Sequence, residues 1–241
     1  MSNSTTLVRS TMLVAVAGVT FFATNADAGI YVNDYATFAA DATAGGLAQQ
    51  YVETFEENTW GGAYQILDHP LTFGVPNQSF ATGLNAPGLT VDTDDLGVNL
   101  DLFTGPGNPY FSNFTSDCVG PNFGDGAMVA WFAGGMSAVA LDVTSLTQFI
   151  GGAFDELNYR VYDTGDDLID SGNLTLDGTI YNSLGFYYAG SDIGRFELEG
   201  FRLGLASAEV LDNIEGWAVV PAPGALALLG LAGLARRRRR D

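Results

Sequence analysis

Short apolar stretches separated by glycine, asparagine and aspartate recur along most of this chain. Several alternate with period two, as where Phe196 and Leu198 interleave with Glu197 and Glu199. That alternation sends successive side chains to opposite faces of a pleated strand. The stretches QQYVETFEE, PLTFGV, GLTVDT, LGVNLDLF, AMVAWFA, MSAVALDVT, TQFIGGAF, NYRVYD, GFYYA, GRFELEGFRLGLASA and IEGWAVV read as strands. In VYDTGDDLIDSG, Val161 and Tyr162 pair forward with Leu168 and Ile169 across a turn carrying Asp163, Gly165 and Asp166. A helical pattern stands out near residue 35, where Asn33 or Asp34 can cap a segment with Tyr35, Phe38 and Ala39 on one face. Gly45-Gly46 ends that segment. The pattern predicts a mainly β protein, a jelly-roll-type antiparallel β-sandwich with one short N-terminal helix. Thr104 to Gly126, rich in Gly, Pro and Asn, is expected to form a long loop at one end of the sandwich.

The two ends break this pattern. Arg9 precedes an apolar stretch from Thr11 to Ala23, and Ala26-Asp27-Ala28 makes a small-x-small cleavage site. Residues 1–28 therefore read as a secretory signal helix. At the other end Pro221 and Pro223 interrupt the chain before an apolar run from Ala225 to Ala235, which is followed by Arg236, Arg237, Arg238, Arg239 and Arg240. That run is shorter than the roughly 20 residues a spanning helix needs, and its arginines would stay on the cytoplasmic side. The division expected is a signal peptide at 1–28, a β-sandwich domain at 29–218 and an apolar tail helix within a sorting segment at 219–241.

The tail, VPAPGALALLGLAGLARRRRR, resembles the PEP-CTERM sorting segment of bacterial surface proteins, which an exosortase, a transpeptidase-like membrane enzyme, processes. The resemblance runs from Val220 through Pro221, Ala222, Pro223 and Gly224 to Arg240, with Ala222 where the family commonly carries glutamate. It implies an exosortase partner, a transient inner-membrane-anchored precursor, and a final place at the cell surface or in the extracellular matrix. The core also resembles other exported proteins with this tail, through an ETFE strand at Glu53 to Glu56, GGAFDE at Gly151 to Glu156, and Asp212-Asn213 before the last strand.

Charge narrows the possible partners. All nine basic residues are arginines, and between Gly29 and Ala218 only Arg160, Arg195 and Arg202 stand against 26 acids, a formal −23. Such a surface repels phosphate backbones and excludes nucleic acid as a partner. Hydrophobic residues at 47% and aromatics at 12% nevertheless supply a sizeable core. Cys118 is the single cysteine, so no internal disulfide forms; a buried thiol or an intermolecular bridge remains.

Little in the residues points to catalysis. His69 is the sole histidine and sits before Pro70, no GxSxG elbow occurs, and one His with one Cys cannot build a zinc cluster. No enzyme is expected. In galactose-binding-type jelly rolls a calcium ion often ties an early "FE" strand to an acid near the last strand. By that resemblance Glu56 and Asp212 are the candidate calcium ligands, with Glu57 or Asn213 as helpers. Exposed aromatics could stack on sugar rings: Trp60, flanked by polar residues and glycines, is the leading candidate, with Tyr110 and Tyr187-Tyr188 behind it, whereas Trp131 and Trp217 read as core. The expectation is an exported, non-enzymatic structural or adhesive protein. The alternatives are a calcium-dependent carbohydrate-binding module for extracellular polysaccharide and, behind that, a secreted glycan-processing enzyme.

Overall fold

The computed structural model describes residues 29–68, 70–94, 99–105, 116–121, 126–145, 155–176, 181–202, 205–207 and 209–220. The signal segment and the tail from Pro221 onward lie outside the described residues, as do His69, Tyr110 and the strand expected over 147–154.

The chain begins with β1 (Gly29–Val32) and α1 (Tyr35–Ala44), then β2 (Leu47–Glu53), β3 (Tyr64–Ile66), β4 (Leu71–Thr72), β5 (Leu89–Thr93), β6 (Leu100–Phe103) and β7 (Cys118–Pro121). There follow β8 (Met128–Met136), β9 (Ala138–Ser145), β10 (Glu156–Asp163), β11 (Leu168–Thr175), β12 (Tyr181–Tyr187), β13 (Ile193–Arg202), β14 (Leu205–Ser207) and β15 (Glu209–Val219). One sheet runs β1-β12-β9-β15-β7-β6-β3 with β2 also on β15; the other runs β11-β10-β13-β8-β5-β4 with β14 on β13. All these strand pairs are antiparallel, and successive strands switch layers at β3–β4, β5–β6, β7–β8, β8–β9, β9–β10, β11–β12, β12–β13 and β14–β15. Among the described residues the chain is thus the expected mainly β antiparallel sandwich with one helix.

The core fills the space between the layers. Leu141, Val143, Leu184, Phe186 and Leu211 come from the first sheet, and Val91, Ala130, Val161, Phe196 and Leu198 from the second, all in one buried cluster. Removing such side chains from water is the main favourable contribution to folding. Glu53 is also buried, where its carboxylate accepts the N–H groups of Phe55, Asn85 and Ala86. The first acid of the ETFE stretch therefore ties the end of β2 to the segment leading into β5.

The helix forms as its sequence predicts, with the Asp34 carboxylate capping the Thr37 N–H at 3.2 Å. It covers the outside of the first sheet, where Phe38 meets Trp217 edge-on at 5.7 Å and packs against Ala138, Ala140 and Tyr187. Gly185 makes this fit possible, because a Cβ there would lie 2.5 Å from the Phe38 ring.

Two expectations change. The segment from 104 to 126 is not one long loop: Cys118–Pro121 forms β7, which is buried between β6 and β15. Valine and cysteine can enter a sheet interior despite the neighbouring Gly and Pro, since Pro121 takes the last position of its strand. Cys118 is buried, and loss of solvation pushes its thiol well above the ordinary range, with Asp212, Asp117 and Glu56 adding to the effect. Tyr187 and Tyr188 are also buried rather than exposed, and the Tyr188 hydroxyl donates to Asp170 at 2.9 Å.

Candidate functional site

The outer face of the second sheet carries a row of side chains in a single register. Thr72 pairs with Thr90, Thr90 with Trp131, Trp131 with Arg195, and Arg195 with Tyr162. Directly opposed residues share a face, so this row crosses β4, β5, β8, β13 and β10. Trp131 points outward because Ala130 and Phe132, on either side of it in β8, point into the core. Its 37% exposure corrects its assignment to packing; Trp217, the other tryptophan assigned there, is buried under the helix.

Arg195 is held from several directions. Its guanidinium lies 3.6 Å over the Tyr162 ring, its Nε donates to Asp166 Oδ1 at 2.9 Å, and it forms an ion pair with Glu197. Glu197 also accepts from Arg160 and from the Tyr162 hydroxyl, each at 3.2 Å. A planar cation stacked on an aromatic ring and pinned by two carboxylates keeps little rotational freedom.

Beside this row a groove of about 630 Å³ runs over β5, β8 and β13, lined among others by Thr90, Trp131, Gly134, Asp163, Asp166 and Arg195. The turn between β10 and β11 forms its wall at one side. Asp163 shapes that turn by accepting the N–H groups of Gly165 at 2.7 Å and Asp167 at 3.0 Å. Gly134 and Gly135 carry the end of β8 past the turn with φ of 90° and 76°, values open to glycine at little cost. A Cβ on Gly135 would also lie 2.6 Å from the Thr164 methyl group. The site thus combines an aromatic platform, a fixed planar donor and carboxylate and hydroxyl acceptors in an open concavity.

The residues expected from sequence lie elsewhere. Trp60 is exposed at 42%, but its indole N–H donates to the Tyr64 carbonyl at 3.1 Å and its ring folds over Gly62. With Tyr64 and Ile66 it belongs to the first sheet's β3 edge and does not line the groove. Glu56 and Asp212 do approach one another at the start of β7. Glu56 accepts the Asp117 N–H at 2.8 Å, and Asp212 accepts from the Ser116 hydroxyl and, at 2.7 Å, from the Asn213 N–H. Burial raises the Asp212 carboxyl to about 7, with the opposed Asp142 and nearby Glu56 contributing, against the hydrogen bonds from Ser116 and Asn213. Among the described residues no group of three or more His, Cys, Asp or Glu side chains is gathered as a metal-ligand set.

A smaller concavity of about 270 Å³ lies on the outside of the first sheet, lined by Tyr35, Asp142, Asn213 and Glu215 among others. The Tyr35 hydroxyl donates to Glu215 at 2.8 Å, and burial together with Glu215 raises it to about 12. The Asn213 amide bridges Asp142 at 2.8 Å and Asp212 at 3.3 Å.

No protein-family model matches this chain, and no curated protein matches its sequence. Among solved structures, a mutant of the family 29 carbohydrate-binding module CBM29-2 complexed with cellulohexaose is similar at 12% identity and a TM-score of 0.33. That match covers 64% of this chain and 89% of that one. The CBM22-1 xylan-binding domain of Paenibacillus barcinonensis Xyn10C is similar at 14% identity and a TM-score of 0.36, covering 73% of this chain and 96% of that one. These are distant likenesses in shape, and they carry no ligand over to this chain.

Proposed function

We propose that this protein is a non-catalytic glycan-binding β-sandwich, exported and sorted through its tail, whose ligand is an extracellular polysaccharide. The observation that supports this reading is the outward-facing Trp131 in a groove beside Thr90, Asp163, Asp166 and the pinned Arg195. Sugar rings present an apolar C–H face and a rim of hydroxyls. An exposed indole takes the face, and the flanking carboxylates, hydroxyl and guanidinium take the rim. Binding of the full chain to a panel of immobilised plant, algal and microbial polysaccharides tests it: selective retention is expected, and indifference to every glycan speaks against it.

Sorting is an independent part of the proposal and rests on the order of Pro221, Pro223, apolar run and Arg236 to Arg240. Deleting residues 225–241 is expected to release the exported precursor from the membrane fraction, and an unchanged distribution would sink the exosortase reading. Calcium at Glu56 and Asp212 rests on the approach of those two carboxylates at the start of β7. Calcium prefers six to eight oxygens, so main-chain carbonyls and water would have to complete the set. An increase in thermal stability with millimolar calcium, absent in Asp212→Asn, supports that site; identical melting in calcium and chelator removes it.

A structural or adhesive role is the second reading. It is favoured by the exposed Trp60, Tyr64, Ile66, Phe73 and Val75, apolar side chains a protein partner could cover.

A further inference from the structure

The groove's charges narrow the class of glycan it accepts, an inference that rests on the glycan-binding reading. Among the described residues Arg195 is the single basic one in the groove's lining, and it is already matched by Asp166 within the groove and by Glu197 beside it on β13. Asp163 adds a further carboxylate on the same wall. A uronate or sulfate ester would have to displace an existing ion pair to reach the guanidinium. It would also approach two carboxylates, on a protein whose segment from Gly29 to Ala218 carries a formal −23. Repulsion of this kind is a specificity device, since placing like charges together costs more than a lost contact.

The arrangement of the row adds a second restriction. Thr72, Thr90, Trp131 and Arg195 occupy adjacent strands in register, and neighbouring strands are about 4.8 Å apart. That spacing is close to the length of one sugar ring in an extended chain. One ring over Trp131 therefore leaves its neighbours facing Thr90 on one side and Arg195 on the other. A compact or strongly helical chain would not place successive rings on successive strands.

We propose that the groove binds an uncharged, extended glycan laid across the strands, with one ring stacked on Trp131 and the next hydrogen-bonded by Arg195. Arg195 serves as a neutralised, oriented donor to hydroxyl groups rather than as an anion receptor. Its free N–H directions are set by Tyr162, Asp166 and Glu197, which makes those three residues positioning groups for the ligand contact.

The experiment titrates the full chain with cellohexaose, xylohexaose and mannohexaose, and separately with hexamers of galacturonate and guluronate, at low and high sodium chloride. The same titrations are run on Trp131→Ala, Trp131→Phe and Arg195→Lys. At least one uncharged hexamer is expected to bind with an affinity that salt changes less than about two-fold. Trp131→Ala should weaken it by about ten-fold or more, Trp131→Phe by less, and the uronate hexamers should not compete. Arg195→Lys, which keeps the charge but loses the planar fork, should weaken binding as well. Uronate binding that depends on Trp131 and fades with salt overturns the uncharged class while leaving a glycan groove in place. Full retention by Arg195→Lys overturns its role as oriented donor. Binding of any glycan that Trp131→Ala leaves untouched, or no binding at all, overturns the groove reading together with this inference.

Discussion

Glu209 joins the two sheets from the interior. It is buried at the start of β15, and its carboxylate accepts the N–H of Met128 at 2.8 Å and of Gly200 at 3.1 Å. One side chain of the first sheet thereby satisfies two main-chain donors in the second. Glu209→Ala leaves both donors orphaned in the interior and is expected to cost roughly 2–5 kcal/mol in denaturant unfolding, because each stranded buried group costs its full desolvation. Glu209→Gln keeps an acceptor and should cost much less. A result in which Ala and Gln are equally mild would mean that these two hydrogen bonds carry little. The outward direction of Trp131 was legible in AMVAWFA, since period two sets it opposite Ala130 and Phe132, but an aromatic within a strand is more often core.

At the scale of elements, the contact of α1 with the first sheet depends on one missing side chain. Gly185→Val would drive a Cβ into Phe38 and is expected to lift the helix from β12 and β9 at a cost of about 1–3 kcal/mol. The near-ultraviolet circular dichroism of Trp217, which meets Phe38 edge-on, should weaken in the same variant; an unaltered spectrum would show that the helix finds room elsewhere. The helix was legible because its cap and glycine stop are local signals, and the longer strands were legible because their alternation is local as well. β3 and β7 were not. Three and four residues long, they are stabilised by pairing with β6 and β15 far away in sequence, and no periodicity accumulates over so few positions. The groove escaped for a related reason. Thr90, Trp131, Asp166 and Arg195 come from β5, β8, the β10–β11 turn and β13, and only the strand order makes them neighbours.

Over the whole molecule, the dominant electrostatic feature is acid held inside as well as outside. Burial raises Asp101 and Asp212 to about 7 and Glu209 to about 8, and an Asp101 oxygen has no hydrogen-bond partner among the described residues. In the unfolded chain such groups titrate near 4. Between roughly pH 4 and pH 8 the folded protein therefore binds more protons than the unfolded chain, and stability falls as pH rises through that window. Repulsion among the surface carboxylates acts in the same direction. The urea midpoint is expected to be higher at pH 5 than at pH 8, and Asp101→Asn should reduce that difference; a midpoint that climbs with pH would contradict this assignment. The same negative field disfavours anionic ligands. Where the binding surface lies is read from retention of the wild-type chain, Trp131→Ala and Trp60→Ala on whichever immobilised polysaccharide holds the wild type. Loss of retention in Trp131→Ala with normal retention in Trp60→Ala is the predicted result. Retention that survives removal of Trp131 and disappears with Trp60 would contradict it, and would move the site to the opposite sheet's edge.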